Sequence, residues 1–389
     1  MAYKFPLSYD SWDHEEKEAI YEVVKDGFFT MSKKVKKFEE EFSNYIGSKY
    51  SVMVNSGSSA NLLMVASLFY TNDSERKLKR GDEVIVPAVS WSTSYYPLYQ
   101  YGFKIKFVDI DLETLNYDLK KLKSAVTNKT KVILAVNLLG NPNNFSEIKK
   151  IIGTKNILII EDNCESLGAE YKNKKTGTIG LLGTFSFYFS HHISTMEGGM
   201  IVTDDKELYH ILLSLRAHGW TRNLPKDNLV SPKSNNDFDE SFRFVLPGYN
   251  LRPVEMSGAI GSVQLKKLPN FVIQRRKNAD QFLKKMEKYD DLIVQKEIGS
   301  SSWFGFSLVI KPGLNKNRKE LLKLLKNRGF ECRPIVTGNF TKNEVLNYFD
   351  YENSDDLINA NWIDENGLFI GNHQNDMSEA IKALDLDNF

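Results

Sequence analysis

Two histidines stand side by side in the run Ser186-Phe-Tyr-Phe-Ser-His191-His192-Ile-Ser-Thr-Met-Glu197-Gly-Gly199. An ordinary imidazole titrates near neutral pH, so this glycine-closed segment offers proton transfer in either direction. Two histidines satisfied by backbone groups would look the same. Other chemistry-bearing residues stand where short apolar runs stop. Ser51-Val-Met-Val54 gives way to Asn55-Ser-Gly57-Ser58-Ser59, Val84-Ile-Val86 to Pro-Ala-Val-Ser-Trp91, and Ile157–Ile160 to Glu-Asp162-Asn-Cys-Glu165. Small residues opening a helix present free N–H groups to an anion, and Gly57 permits close approach. Ser58, Ser59 and Ser186 suit a phosphate, Trp91 suits stacking on a ring, and Asp162 suits a protonated ring nitrogen. One flat, phosphorylated heteroaromatic ligand would satisfy all of them. Taken singly, each has a plain reading: a serine N-cap, a core tryptophan, an aspartate cap.

The elements that must bring these residues together are legible as alternating β and α segments. Apolar runs near 51–54, 83–86, 105–110, 132–136, 157–160, 184–189 and 200–203 predict about seven strands. Helical spacing covers 14–27, 33–45 (with Ser32 as N-cap), 59–70, 93–101, 117–125, 145–152 and 205–217. Strands without polar alternation, separated by helices, predict a mostly parallel sheet covered on both faces, an α/β fold. Ligands of such sheets bind at the carboxyl ends of the strands, where the residues above fall. A polar loop follows over 221–242. Helical segments at 254–266 and 267–289, strands near 303–310 and 330–335, and helices at 316–327 and 341–349 predict a smaller α+β domain. The expected division is 1–250 and 251–389.

The chain has 51 Lys+Arg against 50 Asp+Glu, a formal net charge of +1. That balance gives no field to draw nucleic acid or an anionic membrane. No apolar run is long enough to span a bilayer, and no leader-like segment is read at the start. The two cysteines, Cys164 and Cys332, lack metal-ligand spacing and cannot supply a four-cysteine iron–sulfur or zinc site. A cytoplasmic, metal-free protein is the expectation.

In order and spacing, Phe38-Glu-Glu-Glu-Phe42, Asn55-Ser-Gly-Ser-Ser-Ala60, Val86-Pro-Ala-Val-Ser-Trp91, Ile160-Glu-Asp-Asn-Cys-Glu165, Gly183-Thr-Phe-Ser186, Glu197-Gly-Gly199 and Gly248-Tyr-Asn250-Leu-Arg252 resemble the DegT/DnrJ/EryC sugar-nucleotide aminotransferases, vitamin B6 enzymes of fold type I. The resemblance spans nearly the whole chain. It implies pyridoxal 5'-phosphate or pyridoxamine 5'-phosphate as cofactor. Ser58, Ser59 and Ser186 would hold its phosphate together with Asn250 of a second copy, which makes a homodimer. Trp91 would stack on the ring, Asp162 would pair with its nitrogen and Glu165 would lie near its hydroxyl. His218 and Arg333 are candidates for substrate contact; a surface ion pair is the alternative for Arg333.

His191 falls where these aminotransferases carry their Schiff-base lysine, and no lysine occurs between Lys175 and Lys206. Histidine cannot take over that covalent role, but it can accept and return a proton. The substitution resembles the branch of sugar 3-dehydratases that use pyridoxamine phosphate, in its cluster-free form. That resemblance implies loss of the carbon-3 hydroxyl from a nucleotide-linked 4-keto-6-deoxy sugar, GDP-linked by resemblance alone, with ammonia release. L-Glutamate would regenerate the cofactor amine. If the loop is extended, His192 points away from His191. A 4-aminotransferase with an unusual site and a non-catalytic cofactor-binding homologue remain alternatives at the level of sequence.

Overall fold

The computed structural model describes residues 3–387 and 389. Eight strands form the main sheet, in the order Tyr50–Val54, Gly199–Thr203, Leu182–Ser186, Leu158–Asp162, Thr130–Val136, Glu83–Pro87, Lys104–Val108 and Tyr351–Asn353. Gly199–Thr203 runs antiparallel to both its neighbours, and every other pairing is parallel. The seven expected strands are all present. The eighth, Tyr351–Asn353, comes from the C-terminal part of the chain and pairs with Lys104–Val108. Its three residues are exposed, so no apolar run marks it.

Helices cover both faces because the strands are apolar on both. Val52, Val54, Val84, Val86, Leu134 and Ile160 share one buried cluster with Leu63, Leu68 and Leu212 of the helices Gly57–Tyr70 and Lys206–Arg216. On the other face Phe185, Phe187 and Met200 pack with Phe38 and Phe42 of Lys33–Ile46 and with Leu265 and Leu268. Phe42 meets Phe185 at 5.1 Å and Phe187 at 5.5 Å between ring centroids, both edge-on. Aromatic edges fill the face beneath the histidine loop and anchor its first residue.

Three local expectations change. Ser32 occupies the N-cap of Lys33–Ile46, yet its side chain makes no capping bond. The carboxylate of Glu255 instead accepts from the N–H groups of Ser32, Lys34 and Val35, placing a negative charge at the positive helix end. The segments 254–266 and 267–289 are one helix, Glu255–Met286, which passes through Pro269 without a break. The stretch 341–349 forms two 3₁₀ turns, Phe340–Lys342 and Glu344–Tyr348, not an α-helix. Asn339 caps the first, and Phe340, Leu346 and Phe349 are buried in the large core.

A second core gathers Ala279, Phe282, Leu308, Ile310, Leu325, Ile370 and Ile381 around the antiparallel strands Gly305–Ile310 and Gly367–Gly371. The long helix contributes Leu265 and Leu268 to the face beneath the histidine loop and Ala279 and Phe282 to this second core, its first half lying on the N-terminal helices. Among the described residues, no helix is long and apolar enough to cross a membrane. No group of three His, Cys, Asp or Glu side chains there could hold a metal ion.

Candidate active site

Five strands of the sheet end at one cavity of about 710 Å³. Their tips supply Gly57 and Ser58, Trp91 and Ser94, Asn137 and Leu138, Asp162 and Glu165, and Ser186 and His191. Phe304, Glu331 and Arg333 of the C-terminal region close the remaining side, with Leu7 and Ser8 near the N-terminus.

At the phosphate-like corner, Ser56 caps Gly57–Tyr70, its Oγ accepting from the Ser59 N–H at 3.1 Å. The N–H groups of Gly57 and Ser58 have no acceptor among the described residues. Ser58 Oγ donates to Thr93 Oγ1 at 3.1 Å, tying this corner to the Trp91 loop. Ser186 lies so close that a Cβ on Gly57 would come within 2.5 Å of the serine Cβ, which is why glycine is required there. Ser59 differs from expectation. Its hydroxyl turns to Ser56 Oγ at 3.0 Å and does not line the cavity.

Trp91 is 56% exposed, a flat wall facing the cavity and not the core tryptophan of the plain reading. Strand alternation sends neighbouring acids to opposite faces. Glu161 turns away and accepts the N–H groups of Gly177, Ile179 and Gly180. Asp162 turns to the cavity side. Its Oδ2 accepts from Asn61 Nδ2 at 2.8 Å and Ser94 Oγ at 2.6 Å, and its Oδ1 from the Cys164 N–H at 3.1 Å. Asn61 is held in turn by Thr184 Oγ1, which donates to Asn61 Oδ1 at 2.6 Å. Asn61 and Ser94 were not among the expected site residues, although Asn61 lies one helical turn after Gly57 and Ser94 three residues after Trp91. Glu165 Oε2 accepts from the Leu139 N–H at 2.9 Å. Burial, with the nearby Asp162 charge, pushes its carboxyl up to about 7.

His191 forms the opposite wall. It lines the cavity, packs against the Phe304 ring at 5.2 Å and the Tyr188 ring at 6.0 Å, and buries its Nδ1 without a partner. Burial first, and the Arg275 guanidinium second, bring its imidazole down to about 4. His192 is buried off the cavity, its Nε2 3.1 Å from the Ser302 carbonyl oxygen. Both histidines bury an Nδ1 without a partner among the described residues; His191 lines the cavity, whereas His192 lies off it with its Nε2 at a backbone carbonyl. No lysine lines the cavity among the described residues.

Arg333 lies at the cavity and pairs with Glu331 at 3.3 Å; Glu331 also accepts from the Leu7 N–H. His218 and Asn250 do not line this chain's cavity. They sit together elsewhere: Asn250 bridges to Ala217, and the His218 N–H donates to the Tyr249 carbonyl at 2.6 Å.

The cavity therefore combines a helix N-terminus unpaired among the described residues, an exposed aromatic face, a triply hydrogen-bonded acid and a neutral imidazole. That set of groups fits a phosphorylated pyridine and provides no amine to bind it covalently. The chain belongs to the DegT/DnrJ/EryC1/StrS aminotransferase family, whose profile matches residues 10–384. It is 60% identical over 382 residues to the GDP-4-keto-6-deoxy-D-mannose 3-dehydratase of Escherichia coli O55:H7, covering 98% of each chain. Among solved structures, it matches an E. coli GDP-4-keto-6-deoxy-D-mannose-3-dehydratase with bound hydrated PLP at a TM-score of 0.97 and 58% identity, covering 99% of this chain and 100% of that one. It also matches a GDP-4-keto-6-deoxymannose-3-dehydratase with a trapped PLP-glutamate geminal diamine at a TM-score of 0.96 and 58% identity, covering 98% and 100%.

Proposed function

We propose that this chain removes the carbon-3 hydroxyl of GDP-4-keto-6-deoxymannose in a reaction dependent on pyridoxal and pyridoxamine phosphate, with L-glutamate restoring the amine form. The observation that carries this reading is the exchange of an amine for an imidazole: His191 and Asp162 line one cavity, and among the described residues no lysine does. Gly57, Ser58 and Ser186 hold the phosphate, Ser59 supports that corner through Ser56, and Trp91 stacks on the ring. Asp162 pairs with the ring nitrogen and Glu165 lies by the ring hydroxyl. When bound, the cofactor supplies an electron sink that stabilises negative charge on the carbon bearing its amine.

The protein's part is to move protons and exclude water. His191, neutral at pH 7 with its imidazole held near 4, takes the proton from the carbon bearing the cofactor amine. The resulting imidazolium is disfavoured in its buried surroundings and is therefore a strong acid, which passes the proton to the departing carbon-3 hydroxyl. One group can serve both steps if both face it. Asn61, Ser94 and the Cys164 N–H hold the Asp162 carboxylate in place throughout. Tyr188, Phe189 and Phe304 flank His191 with apolar surface. The balance over both half-reactions is sugar plus glutamate to 3-deoxy-4-keto sugar, 2-oxoglutarate and ammonia. Two electrons pass from glutamate to carbon 3.

Arg333 meets the substrate diphosphate, since a guanidinium pairs with phosphate through two parallel hydrogen bonds. Asn250 and His218, set together away from their own cavity, serve the cavity of a second copy in a cytoplasmic homodimer. Borohydride reduction of the holoenzyme followed by peptide mapping tests the absence of a covalent lysine. The expected map carries no pyridoxyl group on any lysine, and one stoichiometric adduct would overturn the assignment.

A further inference from the structure

Beneath the histidine loop lies a charge that the chemistry above does not use. Arg275, on the helix Glu255–Met286, is 1% exposed. Its guanidinium donates only to carbonyl oxygens, those of Trp303, Phe304 and Asn372, and its Nε has no partner. No carboxylate pairs with it among the described residues; burial lowers its own pKa to about 9, which still leaves it charged at neutral pH. A buried ion normally acquires an opposite charge, because neutral acceptors leave its field uncancelled.

Two of the carbonyls it holds, those of Trp303 and Phe304, belong to the segment that touches both histidines. The Phe304 ring packs on His191 at 5.2 Å and on His192 at 5.8 Å, and the Ser302 carbonyl meets His192 Nε2 at 3.1 Å. Trp303 between them has φ +49°, a left-handed conformation that an L residue keeps only when its surroundings enforce it. Enforcement comes from Arg275 and from Asn372, whose Nδ2 donates to the Trp303 carbonyl at 2.8 Å and to the Arg275 carbonyl at 3.1 Å. On the far side, the Ser302 and Phe304 N–H groups donate to the Gly140 and Leu139 carbonyls. Gly140 approaches Trp303 so closely that a Cβ would come within 2.5 Å of its nitrogen.

We propose that Arg275 is a positioning residue for His191: it braces the Ser302–Phe304 backbone against the histidine loop and sets an uncancelled positive charge behind the imidazole. This rests on the proton-transfer role proposed for His191. The consequence is a base kept neutral well below pH 7 and an unusually acidic conjugate acid. The titratable groups around His191 are His192 and Tyr188 on its own loop, and Asp162, Cys164, Glu165, Glu197, Glu331 and Arg333 around the cavity. Arg275, approaching from the long helix behind the Ser302–Phe304 segment, lowers His191 after burial does, and the same charge lowers His192 and His373.

The test is a histidine NMR titration of the cofactor-free protein, with the pH profile of kcat/KM for dehydration by the holoenzyme. Arg275→Gln removes the charge and retains an amide donor, whereas Arg275→Lys retains the charge. The His191 midpoint should rise by about one pH unit or more in the glutamine variant and by no more than about 0.3 in the lysine variant. The acidic limb of kcat/KM should move in parallel. A folded Arg275→Gln protein with an unmoved His191 midpoint overturns the inference. So does an Arg275→Lys protein whose midpoint rises by a unit, a result that stands even if the glutamine variant does not fold. A shifted midpoint with an unmoved acidic limb supports the placement of Arg275 and overturns the proton role of His191 instead.

Discussion

The two walls of the cavity are held by different means. On the strand-tip wall Asp162 accepts three hydrogen bonds, from Asn61, Ser94 and the Cys164 N–H. On the loop wall, His191 leaves its buried Nδ1 unpaired and is held by ring contacts with Phe304 and Tyr188. A carboxylate with donors on both oxygens keeps its place. An imidazole fixed by ring packing also keeps its place, and burial with the Arg275 charge keeps it neutral, so that a proton it accepts is readily given up. One wall therefore fixes a charge while the other is free to exchange a proton.

The comparison breaks first at its fixed side. Asp162→Asn keeps the shape and removes the charge, and kcat for dehydration should fall by about 10²- to 10³-fold, the size of losing a preorganised electrostatic contact. A variant within a few-fold of wild type would mean that the fixed charge is not needed. A smaller effect probes the grip itself. Asn61→Ala or Ser94→Ala removes one hydrogen bond to a carboxylate, worth roughly 1.5–3 kcal/mol, so a drop in kcat of about 10- to 100-fold is expected from each. No loss in either variant would show that the remaining donors suffice.

The smallest effect concerns Glu165, beside the fixed charge and raised to about 7. Its folded value lies above the ordinary 4.5, so the folded protein holds this proton to higher pH than the unfolded chain does. Stability from this group is therefore lost as pH rises from 4.5 towards 7. In the cofactor-free protein, Glu165→Gln should gain in melting temperature over wild type between about pH 5 and pH 8, with the gain levelling off above 7. A difference independent of pH would show that Glu165 titrates normally.

Much of the strand-tip wall could be read from sequence, because each tip ends an apolar run and the residues there are conspicuous in type. The loop wall could be read only as an absence, a histidine where a lysine belongs. What stayed hidden depends on contacts distant in sequence. Asn61 and Ser94 read as ordinary helix residues until Asp162 is seen between them. Arg275 reads as part of a basic run, Gln-Arg-Arg-Lys277, that would ordinarily face solvent. The exposed strand Tyr351–Asn353 has no pattern of its own and is positioned by the aromatic side chains before it, Phe340 and Phe349, packed on Tyr95 and Tyr99. Ser59 carried the same hydroxyl signal as Ser58, but capping geometry turned it inward.

The central claim is that His191 turns an aminotransferase framework to elimination, and product mass tests it most directly. Purified protein is incubated with pyridoxal phosphate, glutamate and GDP-4-keto-6-deoxymannose. The nucleotide sugar should lose one oxygen and gain no nitrogen, with one ammonia released per turnover, and His191→Asn should reduce that turnover by about 10²- to 10⁴-fold. An amino sugar as the product, or undiminished ammonia release by the His191 variant, would contradict the account.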